Sequence, residues 1–215
     1  MNIIILGDKY QKRMKSKGCV GLIKINSRNI LQLQHRVLKQ VFPEANIVYV
    51  YGFEGKKFNS FISKSTLLDN DIISIYNPYY ETYNNSYSLS LTKDFLNDDC
   101  LILFGDLILS KKIFHKFTNN HDSQIFISKQ NKNRLGCIIN DNKIENISYD
   151  LDNYLTDIYY LTKFHANMIQ NLLTNKINYN CFIFEIINKL VDMNQNIKPL
   201  FLQRISSPTL ILNKI

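Results

Sequence analysis

The chain has 215 residues, 45% of them apolar, and a mean hydropathy of −0.17. This suffices for one sizeable core and excludes a disordered chain, and no apolar run approaches the ~20 residues needed to span a bilayer. A net charge of +8 points to anionic partners, either nucleic acid or small phosphates.

The first predicted element is a strand over 2–6, "NIIIL". Its apolar run precedes the charges that follow, the reverse of a signal peptide, so a cytoplasmic protein is expected. Next comes the densest basic cluster, Lys9, Lys12, Arg13, Lys15 and Lys17, in one loop. The other basic residues are scattered, which fits a local phosphate site better than a nucleic-acid groove. A helix follows, with Ser27 as its N-cap, Ile30, Leu31, Gln34, Val37, Leu38 and Val41 at helical spacing, and Pro43 at its end. Strands are then predicted over 46–52 and 71–77, a helix over 86–97, a strand over 100–106 and a short helix over 111–118. Strands over 123–128, 136–140 and 157–163, helices over 164–175 and 181–194, and a strand over 199–205 complete the chain. Most strand runs are continuously apolar, which suits strands covered on both faces. The expected fold is an α/β, three-layer α/β/α sandwich with a mostly parallel mixed sheet, built as one domain over 1–215.

Cys19, Cys100, Cys137 and Cys181 form no CxxC pair. That argues against zinc and for reduced, mostly buried thiols. His35, His115, His121 and His165 show no ligand spacing and are expected at the surface.

Two further stretches carry chemistry. In "CLILFGD", Asp106 stands at the end of an apolar strand, where ligands of open α/β sheets bind. Gly105 before it would let the backbone approach a ligand, and the carboxylate could hold Mg²⁺ against phosphate oxygens. An Asp there can also cap a following helix. Asn84, Asn85, Ser86 and Ser88 make a good turn and N-cap; their amides and hydroxyls could equally read a pyrimidine edge and a ribose. Tyr76, Tyr79, Tyr80, Tyr83 and Tyr87 crowd this segment, mostly as packing, although a tyrosine cage for a cationic head group is an option.

The order of these pieces resembles the nucleotidyltransferase family that activates sugar phosphates and phosphocholine with nucleoside triphosphates. The pieces are "IIILGDKYQKRM", "CVGLIKINSRNILQLQHRVL", "YNPYYETYNNSYSLSL", "LILFGD" and "FIFEIINKLV". The resemblance implies a Rossmann-like nucleotide-diphospho-sugar transferase fold. It implies transfer of CMP or UMP from CTP or UTP to a small phosphorylated acceptor, a sugar phosphate or a phospho-alcohol such as phosphocholine, with Mg²⁺. It assigns Arg13, Lys24 and Asp106 to catalysis, Asp106 to the metal, Gly7, Lys9, Arg13, Asn84, Asn85, Ser88 and Gly105 to the nucleotide, and Tyr79 and Glu185 to the acceptor.

The departures are specific. The first loop lacks the G-x-G that precedes Arg13 in the family. "CVGL" stands where "PKPL" is usual, so the phosphate-neutralising lysine is missing, with Lys17 or Lys24 the nearest substitutes. Ser206 stands where a second metal-binding Asp is usual, and Asp152, Asp157 and Glu185 are the carboxylates that could fill that place. The other readings are a non-catalytic nucleotide-binding relative and a nucleotide-sugar glycosyltransferase. The latter usually shows D-x-D where this chain has a single Asp.

Overall fold

A computed structural model describes residues 1–9, 12–115, 117, 122–129 and 135–202, without the side chains of residues 12–14, 66, 67 and 69. In chain order the strands are β1 (Asn2–Leu6), β2 (Lys24–Ile25), β3 (Arg28–Asn29), β4 (Asn46–Tyr51), β5 (Ile72–Tyr76), β6 (Cys100–Phe104), β7 (Ser123–Ser128), β8 (Leu135–Asn140), β9 (Lys143–Tyr149), β10 (Tyr154–Leu161) and β11 (Ile197–Phe201). The helices are α1 (Ile30–Val41), α2 (Gly55–Ser63), α3 (Thr66–Asp71), α4 (Asn85–Ser90), α5 (Lys163–Leu172) and α6 (Ile183–Asp192).

Seven strands form one sheet in the order β11-β7-β10-β6-β1-β4-β5, and β2–β3 and β8–β9 are separate hairpins. Only β10 runs antiparallel to its neighbours in the large sheet. The continuous apolar runs are the reason for three layers. Successive residues of a strand face opposite sides, and every residue of β1 is buried. Ile3 and Ile5 join the layer containing Leu31 and Leu38 of α1 and Phe58 of α2. Ile4 joins the opposite layer, with Leu89 of α4, Ala166 of α5, Ile186 of α6 and Ile147 of β9. Burying each such Ile or Leu contributes roughly 1.5–3 kcal/mol. On that second side, Asn188 of α6 pairs with both backbone groups of Ile147 and so fixes the β8–β9 hairpin on the helix.

Several boundaries differ from the sequence expectation. α1 is capped by Asn29, not Ser27, because Asn26 takes a positive φ of 56° and turns the chain between β2 and β3. The expected helix over 86–97 stops at Ser90, and a separate 3-10 turn covers Lys93–Phe95. The expected helix over 111–118 is a 3-10 turn, Lys111–Phe114, and residues 116 and 118 lie outside the described part. The strand expected over 157–163 begins earlier, at Tyr154, and breaks register between Leu155 and Tyr159. The strand expected over 199–205 runs from Ile197 to Phe201, with residues 203–205 outside the described part. α2 and α3 were not expected, since "GKKFNSFIS" buries only Phe58 and Ile62, too thin an apolar stripe to read. His165, expected at the surface, is buried with Nδ1 2.7 Å from Ser123 Oγ. The four cysteines are free, and three of them are buried.

Packing gives Gly105 a reason of its own. β1 and β6 are neighbours with Leu6 opposite Phe104, and just beyond them Gly105 N–H donates to Leu6 O at 2.9 Å. A Cβ on Gly105 would stand 2.7 Å from Gly7 Cα and 2.9 Å from Tyr49 Oη. A Cβ on Gly7 or Gly21 would land on the Tyr49 phenol. Tyr49 itself is fully buried and stacks on Phe58 at 4.9 Å. Gly105 therefore makes room for Gly7 and the Tyr49 phenol. We expect Gly7→Ala to destabilise the protein by about 1–3 kcal/mol, the usual cost of overpacking. Adding Tyr49→Leu should recover part of that loss in a double-mutant cycle read by urea denaturation. Strict additivity of the two substitutions would refute the contact.

Candidate active site

The residues just beyond Leu6 and Phe104 read Gly7-Asp8 and Gly105-Asp106, the same pair on two adjacent parallel strands. Both aspartates line a cavity of about 210 Å³ at the carboxyl ends of β1 and β6, together with Leu6, Lys9, Val20, Asn85 and Phe104. This is where open α/β sheets bind ligands.

Asp8 is 2% exposed. Its Oδ2 accepts from Ser88 Oγ at 2.8 Å and from Asn77 Nδ2 at 2.9 Å. Burial pushes its carboxyl above the ordinary range, and these bonds and the Lys9 charge pull the other way. Lys9 lines the cavity, but its ammonium donates to Tyr83 O at 2.5 Å and lies 3.5 Å from Asn84 Oδ1. Burial lowers its pKa. Lys9 thus straps the β1 exit to the segment that begins α4.

The residues expected to face a nucleoside are used unequally. Asn84 Nδ2 donates to Asn180 O at 2.6 Å. Ser88 is fully buried behind Asp8. Asn85 reaches the cavity: its Oδ1 accepts from Ile183 N–H at 2.9 Å, and no described residue partners its Nδ2.

Asp106 is half-buried in the turn after β6. Gln34 of α1 brackets that turn, with Nε2 donating to Phe104 O at 3.0 Å and Leu107 O at 2.9 Å. Asp157 sits in the irregular stretch of β10 with a positive φ of 58°, next to Ile158, which pairs with Leu103 of β6. Burial, and then the Asp106 charge, push its carboxyl up to about 7. Of the carboxylates considered for a second metal contact, Asp152 is exposed, and Glu185 Oε2 accepts from the Phe182 N–H of its own helix start at 2.6 Å. Asp157 is the one whose charge meets that of Asp106.

Val20 lines the cavity where the resembled family carries its lysine, and Lys24 is exposed on β2, off the cavity wall. The backbone of Arg13 lies in the 3-10 turn Lys12–Lys17, and its side chain is outside the described part, as is Ser206. The far end of this loop is anchored where Glu54 Oε2 accepts from Cys19 N–H at 3.2 Å. Tyr79, 52% exposed, packs edge-on against Tyr83 and Tyr87, and both of these meet Tyr179. Sequence reasoning assigned no role to Asp8, Gln34 or the Tyr49 phenol. Two of these had a signal: an acid inside a basic loop, and a Gln on the apolar stripe of α1.

No family model matches the chain. Its architecture is the nucleotide-diphospho-sugar transferase fold, the fold of nucleotidyltransferases. Among solved structures it is similar to the CTP:phosphocholine cytidylyltransferase of Streptococcus pneumoniae, with a TM-score of 0.77 and 18% identity over 95% of this chain and 91% of that one. It is also similar to the inositol-1-phosphate CTP transferase of T. maritima, with a TM-score of 0.72 and 17% identity over 93% and 84%. In sequence it is 33% identical over 117 residues to the choline-phosphate cytidylyltransferase of Haemophilus influenzae. That stretch is 53% of this chain and 47% of the relative, so the match spans about half the relative's length.

Two outcomes follow from the site's geometry. Gln34→Leu strips one buried and one part-buried carbonyl of their donor and should cost about 1–3 kcal/mol in urea denaturation; unchanged stability would show that the bracket is idle. For Asp157, the folded carboxyl near 7 lies above its ordinary 3.8. The folded state therefore holds the extra proton, and stability falls as pH rises between about 4 and 7. Thermal melts in EDTA should show this fall reduced in Asp157→Asn. Equal pH profiles for the two proteins would mean that Asp157 titrates normally.

Proposed function

We propose that the chain acts as one nucleotidyltransferase-like unit. It transfers CMP or UMP from CTP or UTP to a small phosphorylated acceptor, a sugar phosphate or a phospho-alcohol such as phosphocholine. The observation that carries this reading is the cavity where two Gly-Asp pairs meet at the ends of β1 and β6, in a fold shared with nucleotidyltransferases. The names of the relatives support the choice of acceptor class.

An oxygen of the acceptor's phosphate attacks the α-phosphorus, and pyrophosphate leaves in line, so the protein's task is to position and to stabilise charge. The basic loop, with Arg13, Lys15 and Lys17, holds the triphosphate. Asn85 and the β1 exit orient the nucleoside. Tyr79 and its neighbouring tyrosines border the acceptor's end. Among the described residues no group of three or more His, Cys, Asp or Glu could hold a metal, but Mg²⁺ keeps several waters and needs only one or two carboxylates beside phosphate oxygens. Asp106 and Asp157 fit that demand, since both are hard oxygen donors whose charges crowd each other. When bound, Mg²⁺ would neutralise the charge that develops on the phosphate oxygens. No described helix is long and apolar enough to cross a membrane, which is compatible with the expected cytoplasmic location.

One observation favours a second reading. Val20 occupies the cavity wall where a lysine would stand, and Lys24 does not reach it. A relative that binds the nucleotide without turning it over has no need of that lysine. Pyrophosphate release, with each nucleoside triphosphate against a panel of phosphorylated acceptors, separates the two. Release with CTP or UTP, reduced on the order of 100-fold in Asp106→Asn, supports transfer. Tight Mg²⁺-dependent binding with no release from any pair supports the non-catalytic relative.

A further inference from the structure

Asp8 is the most heavily invested side chain at the cavity that the transfer reaction leaves without a task. It is buried, carries a carboxylate and stands on the cavity wall. Two side chains from the 77–88 segment, Asn77 and Ser88, are themselves fully buried and spend their donors on it. Two donors converging on Oδ2 is the arrangement an ionised carboxylate accepts.

A carboxylate cannot face a phosphate without a cation between them, and among the described residues the cation beside it, Lys9, has its ammonium turned to Tyr83 O. The described surroundings of Asp8 therefore favour a neutral donor over a phosphate as its partner. Besides Asp106, the remaining lining is of two kinds. Leu6, Val20 and Phe104 are apolar walls that suit a flat ring. Asn85 presents Nδ2 as a donor, because Ile183 N–H already claims its Oδ1. Apolar walls with the acceptor-only carboxylates of Asp8 and Asp106 and one amide donor complement a ring that carries an exocyclic amine beside acceptor atoms. Cytosine has that edge: its 4-amino group donates, and its N3 and O2 accept. Uracil puts a carbonyl oxygen where the amine would be, lone pair against carboxylate. The volume, about 210 Å³, lies below the usual range for ligand sites and favours a single six-membered ring over a purine.

The geometry points to Asp8 as the residue that selects the base, accepting a hydrogen bond from the 4-amino group of a cytosine nucleotide while Asn77 and Ser88 hold it in place. This rests on the nucleotide site proposed above. A site that hydrogen-bonds a substrate N–H rejects the analogue that lacks it, because its own polar group is left unpaired.

The test is calorimetric titration of the full chain, in Mg²⁺, with CTP, with UTP and with the triphosphate of the pyrimidine nucleoside lacking any group at C4. The unaltered protein should bind CTP at least about tenfold more tightly than either of the others, the loss of one hydrogen bond to a charged group. Asp8→Asn should bring the CTP-to-UTP ratio close to one while keeping affinity for UTP. Ser88→Ala, which leaves the carboxylate but removes one of its donors, should give an intermediate ratio. Equal affinity of the unaltered protein for all three nucleotides overturns the assignment, and that arm needs no variant to fold. An equal loss for CTP and UTP in Asp8→Asn overturns it too, with the nucleotide site left standing. Absence of binding for every nucleotide overturns both that site and the role of Asp8.

Discussion

The close approach of β1 and β6 at their carboxyl ends is the contact from which the site is built. Gly7 and Gly105 lie backbone against backbone over the buried phenol of Tyr49. A methyl group on either glycine would push the strand ends apart or displace the ring. Because neither has one, Asp8 and Asp106, each one residue further on, open into the same cavity. Tyr49 is also held from its other face by Phe58 of α2, which stacks on Tyr51 in turn at 4.6 Å. A helix with almost no sequence signature thereby supports the floor of the site.

The two aspartates start from the same local sequence and meet different surroundings. Asp8 is desolvated and surrounded by neutral donors, so its charge is met by hydrogen bonds inside the protein. Asp106 is half-buried, and its field adds to burial in raising the pKa of Asp157. The first arrangement suits reading a neutral edge, because few of its bonds remain to be made. The second suits a cation, because two nearby carboxylates are stabilised by positive charge more than by any neutral donor. Gln34 keeps the Asp106 turn in place from the other layer of the sandwich.

The segment between β5 and α4 is held to this centre by polar side chains standing in for backbone. Lys9 reaches Tyr83 O, Asn84 reaches Asn180 O, and Asn85 accepts from Ile183 N–H. Asn and Lys, so abundant in this chain, here join loops to one another and to helix starts. Glu185 has a role of this kind as well, a first-turn acid that satisfies an orphan N–H of its own helix.

Short-range information in the sequence determined the layered α/β class, the position of every long apolar strand, α1, α5, α6 and the placing of Asp106 at a strand end. Those features follow from hydrophobic periodicity, which is a property of neighbouring residues. It also made Asn85 a candidate, through the turn chemistry of Asn-Asn-Ser. Only the tertiary structure decided that Ser88 serves Asp8, that Lys9 is a strap, that Val20 walls the cavity, and that Asp157 stands by Asp106. It also decided why Gly105 is a glycine. Each of these depends on residues about 50 to 100 positions apart meeting across the sheet, or on a register break in β10 that leaves no local mark. A side chain's burial and partners are set by which strands lie side by side. Strand order is fixed by packing of the whole chain, and no stretch of neighbouring residues encodes it.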